Sequence, residues 1–132
     1  MSVALEDSTE IADARALARR FLTTVQAQHA LPVSARAMGM AQLVVSELVT
    51  NARKYAPGPC LLELEISEGA VHISVWDSST TQPSIQAPDP HRIGQHGLEI
   101  VMTVSQTFCV HREPVGKRIT ATLSLTDDPA TP

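Results

Sequence analysis

The chain has 132 residues, of which 43% are hydrophobic, and a formal net charge of −4. This length and composition predict one domain over residues 1–132, with a disordered tail at 126–132. The ten lysines and arginines are scattered, which argues against nucleic-acid binding, and without a signal peptide or membrane span we expect a cytoplasmic protein. Cys60 and Cys109 lack metal-binding spacing and are expected to be reduced and structural.

Two amphipathic helices are predicted in the first half of the chain. Asp7, followed by Glu10, is a helix-start signal, and apolar residues then recur at helical spacing, so the first helix should cover about 8–29. Ser34 can cap a second helix over about 35–56, which the following Pro-Gly-Pro ends. One face of the second helix is apolar and should be buried: Met38, Ala41, Val44, Val45, Leu48, Ala52 and Tyr55.

Two β-hairpins are predicted further along the chain. Apolar and polar residues alternate on either side of Glu68-Gly69 and again on either side of 113–116. Between the hairpins lie a long loop, 78–93, and a short helix from about Gly97. Such a loop is usually a lid, a binding loop or a disordered segment, and we expect this one to be mobile without nucleotide. This order of elements predicts an α/β fold, a two-layer sandwich of a four-stranded or larger mixed sheet covered on one face by three helices.

Three places in this order carry groups suited to nucleotide chemistry. Glu47 and Asn51 lie one helical turn apart beside the apolar face of the second helix. The amide oxygen suits Mg²⁺ and the carboxylate could polarise a hydroxyl or water, although a solvated helix flank is the alternative interpretation. Asp77 ends a strand and could accept a hydrogen bond from an exocyclic amine such as that of adenine. Gly94 and Gly97 precede a helix, whose start favours phosphate.

The segments SELVTNARKYA, SVWDSS, GQHGLEIV and GKRITATL, in this order, resemble the histidine-kinase-like ATPase fold and, within it, the bacterial anti-sigma-factor serine kinase family. The resemblance covers nearly the whole chain and is most specific at ELVTNA and at GQHGL. It implies that Asn51 coordinates Mg²⁺, that Glu47 is the catalytic base and that Asp77 binds the adenine amine of ATP. It also implies a phosphate-side lid and an underlying helix that include Gly94, Gly97 and Leu98.

Other residues near these motifs each have two interpretations. Lys54 and His96 are expected to contribute to ATP binding, with a solvated surface charge and a helix cap as their respective alternatives. Lys117, like Lys54, could help to neutralise phosphates, and a solvated surface charge is the favoured interpretation of each lysine. The sequence also departs from the family pattern at Ser79, where a glycine is usual, and at Arg118, where a threonine often supports the adenine site. The loss of the glycine after Asp77 predicts weaker adenine binding.

The resemblance implies an ATP- and Mg²⁺-dependent serine/threonine-protein kinase. Such a protein holds a sigma factor in check and phosphorylates a small anti-sigma-antagonist protein. The expected partners are therefore the sigma factor and the antagonist, with no direct contact to nucleic acid or membrane, and a homodimer is left open. The alternative is a catalytically weak ATP-binding module that sequesters a sigma factor or other partner without phosphoryl transfer.

Overall fold

The computed structural model of the chain describes residues 1–6, 8–55, 58–78 and 97–126. In this part the chain forms an α/β fold of one five-stranded sheet and three helices. The elements, in chain order, are β1 (Ser2–Leu5), α1 (Ile11–His29), α2 (Ala35–Tyr55), β2 (Cys60–Ser67), β3 (Ala70–Asp77), α3 (Gly97–Val104), β4 (Thr107–Arg112) and β5 (Lys117–Ser124).

Both long helices lie where their apolar spacing predicts. The start of α1 was predicted about three residues too early, because the helix begins at Ile11 and its N-cap residue, Glu10, makes no capping hydrogen bond among the described residues. Asp7, the other half of the predicted signal, lies outside the described part. Ser34 does cap α2, since its Oγ accepts a hydrogen bond from the N–H of Ala37 at 2.9 Å.

The two predicted hairpins are confirmed, and a further strand was missed. Glu68 and Gly69 both have positive φ, 52° and 74°, as the tight turn between β2 and β3 requires. The missed strand is β1, which pairs antiparallel with the first half of β2. At its end the amino group of Met1 donates to the carbonyl oxygen of Leu64 at 2.8 Å. Only four residues long, β1 shows too little alternation to be recognised in the sequence.

The sheet is antiparallel, so the prediction of a mixed sheet was wrong. Its strand order is β1-β2-β3-β5-β4, and each pairing in the described sheet is antiparallel. A parallel pair would have required β4 to lie next to β3, after the crossover through α3. Instead, the β4–β5 hairpin folds back and inserts β5 between them.

The core lies between the inner face of the sheet and the helices. Three successive cross-strand pairs of β3 and β5 are apolar: Val71 with Leu123, Ile73 with Ala121, and Val75 with Ile119. They join one buried cluster with side chains from all three helices, including Leu22, Val44, Leu48, Leu98 and Val101. Burial of this apolar surface is the main stabilising contribution to the fold.

Several smaller predictions have mixed outcomes. Cys60 is buried in the core, whereas Cys109 is exposed, so a structural role for Cys109 was wrong. The predicted loop 78–93, beyond Ser78, and the predicted tail, beyond Thr126, lie outside the described residues. None of the helices in the described part is long and apolar enough to cross a membrane.

Candidate functional site

The C-terminal half of α2 places Glu47 and Asn51 one turn apart at the edge of the core. Both residues are half-buried, while Leu48 and Ala52, which follow them in sequence, are each 1% exposed. The Oδ1 atom of Asn51 is fully buried and has no hydrogen-bond partner among the described residues. An unsatisfied buried acceptor costs about 1 to 3 kcal/mol and calls for an explanation. A bound cation would be such an explanation, because an amide oxygen is a suitable ligand for it.

The end of β3 carries a buried ion pair. Asp77 is 2% exposed and Lys117, directly opposite on β5, is 1% exposed. The Nζ of Lys117 donates to both carboxylate oxygens of Asp77, at 3.0 Å and 3.2 Å. The prediction that Lys117 is a solvated surface charge is therefore wrong. The signal was present in the sequence, because Lys117 continues the alternation of Ile119 and the other inner residues of β5.

The turn before β5 brings its backbone against the end of β3. Gly116 has φ +88°, and a Cβ at this position would overlap the carbonyl oxygen of Asp77. Glycine is therefore required here both for its backbone conformation and for the close approach of the two chain segments. This close approach sets the position of Lys117 relative to Asp77.

Arg118 lies on the other face of the sheet from this pair. Its register partner on β3 is Trp76, and its Nε is 3.5 Å from a carboxylate oxygen of Glu113. Arg118 therefore does not face Asp77. Residue 117, rather than 118, is the position on β5 that contacts the strand-end aspartate.

The N-terminus of α3 forms the third part of the predicted site. Gly97 begins α3 as predicted, and Leu98 is 5% exposed and packs in the core. Gly94 and His96 lie outside the described residues, so their predicted contacts with phosphate stay predictions. Lys54 is exposed, and its predicted contribution to ATP binding stays a prediction.

The topology brings these three parts to one end of the sheet. The last turn of α2 is followed closely by the start of β2, and Leu61 there pairs with Trp76 near the end of β3. The C-terminus of α3 is near the opposite end, because Gln106 donates its backbone N–H to the carbonyl of Thr122. The N-terminus of α3, at Gly97, therefore points back toward the end that carries Asp77 and the last turns of α2.

A comparison with protein families agrees with this arrangement. The model of the histidine kinase-like ATPase domain matches residues 8–123. No individual curated protein matches the chain. The matched range includes the α2 edge, the ion pair at the end of β3 and the start of α3. Because the match spans most of the chain, the chain belongs to the histidine kinase-like ATPase domain family, a family of ATP-binding domains.

Proposed function

We propose that this chain is an ATP-binding anti-sigma regulatory factor with serine/threonine-protein kinase activity toward a small anti-sigma-antagonist protein. The observation that carries the proposal is the buried Oδ1 of Asn51, which has no hydrogen-bond partner among the described residues. It lies one helical turn from the carboxylate of Glu47 and at the same end of the sheet as Asp77. The ELVTNA and GQHGL segments add the resemblance to the anti-sigma-factor kinases.

Each part of the site has one task in nucleotide binding. Asn51 would hold Mg²⁺ through its amide oxygen, and Asp77 would accept a hydrogen bond from the adenine amine. The first turn of α3, from Gly97, would direct its N–H groups and positive dipole end toward phosphate. When bound, Mg²⁺ supplies positive charge that offsets the negative charge of the phosphates.

The Glu47 carboxylate is suited to serve as the base in phosphoryl transfer. As the serine hydroxyl of the antagonist attacks the γ-phosphorus, its proton passes to Glu47 and a new oxygen–phosphorus bond forms. The bond between the γ-phosphorus and the β–γ bridging oxygen breaks, and ADP leaves with that oxygen. Atoms and charge balance without a further reactant, and positioning of the two substrates contributes most of the catalysis.

The partners in this proposal are the antagonist, as phosphate acceptor, and a sigma factor that the protein holds in check in the bacterial cytoplasm. A second candidate is a catalytically weak ATP-binding module of the same family that sequesters a sigma factor or other partner without phosphoryl transfer. The ion pair of Asp77 with Lys117 favours this second candidate if it weakens the binding of adenine by the carboxylate.

A transfer assay with radiolabelled ATP and the antagonist tests the proposal, using candidate single-domain antagonists from the same genome if the cognate one is unknown. We expect Glu47→Gln to retain ATP binding and to lose phosphate transfer by about two to four orders of magnitude, the usual contribution of general-base catalysis. Glu65→Gln, an exposed glutamate on β2, is the matched control and should keep full transfer.

Two results would contradict the proposal in different ways. Transfer that survives in Glu47→Gln would remove Glu47 as the base while leaving the kinase assignment intact. Stable binding of the antagonist or sigma factor by the wild type, with no transfer from ATP, would instead favour the sequestering module.

A further inference from the structure

The cross-strand pair of Asp77 and Lys117 interrupts an apolar series. Moving along β3 and β5 toward this end of the sheet, the three preceding inner pairs are made entirely of aliphatic side chains. The last inner pair instead places a carboxylate against an ammonium group, with the two residues 2% and 1% exposed. The series therefore ends in two opposite charges that are almost completely removed from water.

A structural role alone explains this pair poorly. Removing two charges from water costs several kcal/mol per ion, and replacing a buried ion pair with apolar side chains is often neutral or stabilising. The neighbouring aliphatic pairs show that this region of the two strands accommodates such side chains. In addition, Gly116 is needed to let the backbone of β5 approach Asp77. The pair thus has a chemical feature that a fourth aliphatic pair would lack.

That feature is a hydrogen-bond acceptor and a hydrogen-bond donor side by side. The Nζ of Lys117 lies 3.0 Å and 3.2 Å from the two carboxylate oxygens of Asp77, so donor and acceptor are adjacent. Adenine carries a complementary pattern, an exocyclic amine that donates and neighbouring ring nitrogens, N1 and N7, that accept. One edge of adenine is therefore complementary to the donor and the acceptor of this pair.

We propose that Lys117 is a second base-reading residue, which donates a hydrogen bond to a ring nitrogen of adenine while Asp77 accepts one from the amine. This inference rests on the ATP binding proposed above and specifies how the base is recognised. It also assigns the ion pair to nucleotide specificity, whereas the sequestering alternative treats Lys117 as a competitor for Asp77.

The proposal predicts how base analogues are discriminated. Guanine has a carbonyl oxygen where adenine has its amine, so in the adenine orientation this oxygen would face the carboxylate of Asp77. The deaza analogues of ATP replace N1 or N7 with a carbon and remove one acceptor without changing the phosphates. If Lys117 donates to one of these nitrogens, the corresponding analogue loses a hydrogen bond to a charged group, which corresponds to roughly tenfold to a hundredfold in affinity.

Calorimetric titration of the wild-type protein with Mg²⁺ and ATP, GTP and the two deaza analogues is the first test. We expect ATP to bind more tightly than GTP and one deaza analogue to bind at least tenfold more weakly than ATP. The analogue that loses affinity identifies the ring nitrogen. Equal binding of ATP and both deaza analogues would overturn the proposal, as would GTP binding as tight as that of ATP.

A pair of variants on the same strand provides the second test. Lys117→Met removes the donor, and Arg118→Met removes a neighbouring cation from the opposite face of the sheet. In folded Lys117→Met, judged by circular dichroism, ATP should bind more weakly and the difference between ATP and the sensitive analogue should disappear. Arg118→Met should retain the ATP affinity of the wild type and its discrimination against the sensitive analogue. Tighter ATP binding by Lys117→Met would show that the lysine only blocks Asp77.

The outcomes separate this inference from the function on which it rests. If Lys117→Met fails to fold, the analogue titration of the wild type still decides the question. If the wild type binds no ATP at all, the ATP-dependent function itself fails. If ATP binds and discrimination against the analogues is absent, only the role of Lys117 fails.

Discussion

Polar side chains have different surroundings on the two faces of the sheet. On the outer face, which the helices do not cover, polar residues of β3 and β5 pair with one another across the strands. His72 Nδ1 lies 3.0 Å from Thr122 Oγ1, and Ser74 Oγ lies 2.9 Å from Thr120 Oγ1. The residues of these pairs are mostly half-buried. They follow from the alternation of apolar and polar residues in a sheet that has one face exposed to solvent. A polar residue on this face needs no further explanation.

On the inner face, where the alternation predicts apolar residues, some positions are polar instead. Asp77 and Lys117 occupy positions that the register assigns to the core. At the same end of the sheet, the buried Oδ1 of Asn51 lacks a hydrogen-bond partner within the described part of the chain. Local rules of folding are expected to fail mainly at functional sites. The comparison therefore favours one end of the inner face as the candidate site and leaves the outer face as ordinary protein surface.

The largest expected effect comes from breaking the inner ion pair. Lys117→Met leaves the carboxylate of Asp77 buried without its lysine, and we expect a loss of about 3 to 5 kcal/mol in the free energy of unfolding. The double variant Asp77→Leu/Lys117→Met completes the aliphatic series and should recover most of this loss. It should nevertheless bind ATP poorly, because both base-reading groups are gone. Urea unfolding and ATP titration measure the two properties.

Arg118→Met is the control for this prediction, because it removes an ion pair that is partly exposed. Its side chain is 42% exposed, and such pairs contribute about 0 to 1 kcal/mol. The comparison of the two faces would fail if Arg118→Met were as destabilising as Lys117→Met. A double variant that is less stable than Lys117→Met alone would show that the pair is primarily structural.

A smaller effect is expected at Asn51. Asn51→Ala relieves the cost of a buried acceptor with no partner among the described residues, but it also removes the packing of a half-buried side chain. Because these two effects oppose each other, the free energy of unfolding without ligand should change by less than about 1 kcal/mol. With ATP and Mg²⁺ at 100 times Kd, the wild type should gain about 2.7 kcal/mol, and the variant should lose most of that gain. Melting curves with and without ATP and Mg²⁺ measure both quantities.

Gln42→Ala is a matched control on the same helix. Gln42 is also half-buried, and its side-chain amide donates to the carbonyl oxygen of Met38 at 3.3 Å. It lies well before the end of α2 that carries the site, so the stabilisation by ATP and Mg²⁺ should be unchanged. If Asn51→Ala kept its full gain from ATP and Mg²⁺, Asn51 would not be a metal ligand.

The parts of the fold that the sequence predicts are those with local signals. Apolar spacing predicted α1 and α2, and the turn residues Glu68 and Gly69 predicted the first hairpin. Both signals are local, because they depend on residues only a few positions apart in sequence. The strand β1 and the antiparallel insertion of β5 depend on pairing between distant segments. Leu5, for example, pairs with Cys60. Such pairing leaves no periodic pattern in a strand of four residues.

The candidate site shows the same division. Helical spacing was sufficient to place Glu47 and Asn51 together, because they are neighbours on one helix. The partner of Asp77 is 40 positions away, and only the register of β3 and β5 shows that it is Lys117. One residue of shift reverses the face of a strand, so Arg118 lies on the opposite face from Lys117 although the two are neighbours in sequence.

The smallest expected effect lies on the outer face, at the hydroxyl pair of Ser74 and Thr120. Ser74→Ala removes one partner of a half-buried hydrogen bond, and water can reach the group that remains. We expect Ser74→Ala to lower the free energy of unfolding by about 1 kcal/mol or less, without changing ATP affinity.

A double-mutant cycle with Thr120→Val isolates the interaction between the two hydroxyls. Cross-strand pairs of this kind contribute about 0.2 to 1 kcal/mol, so the coupling energy should fall in that range. Urea unfolding of the wild type, the two single variants and the double variant gives the value. A coupling energy as large as that between Asp77 and Lys117 would mean that a polar pair on the outer face contributes as much to stability as the ion pair on the inner face. In that case burial would no longer distinguish the candidate site from the rest of the sheet.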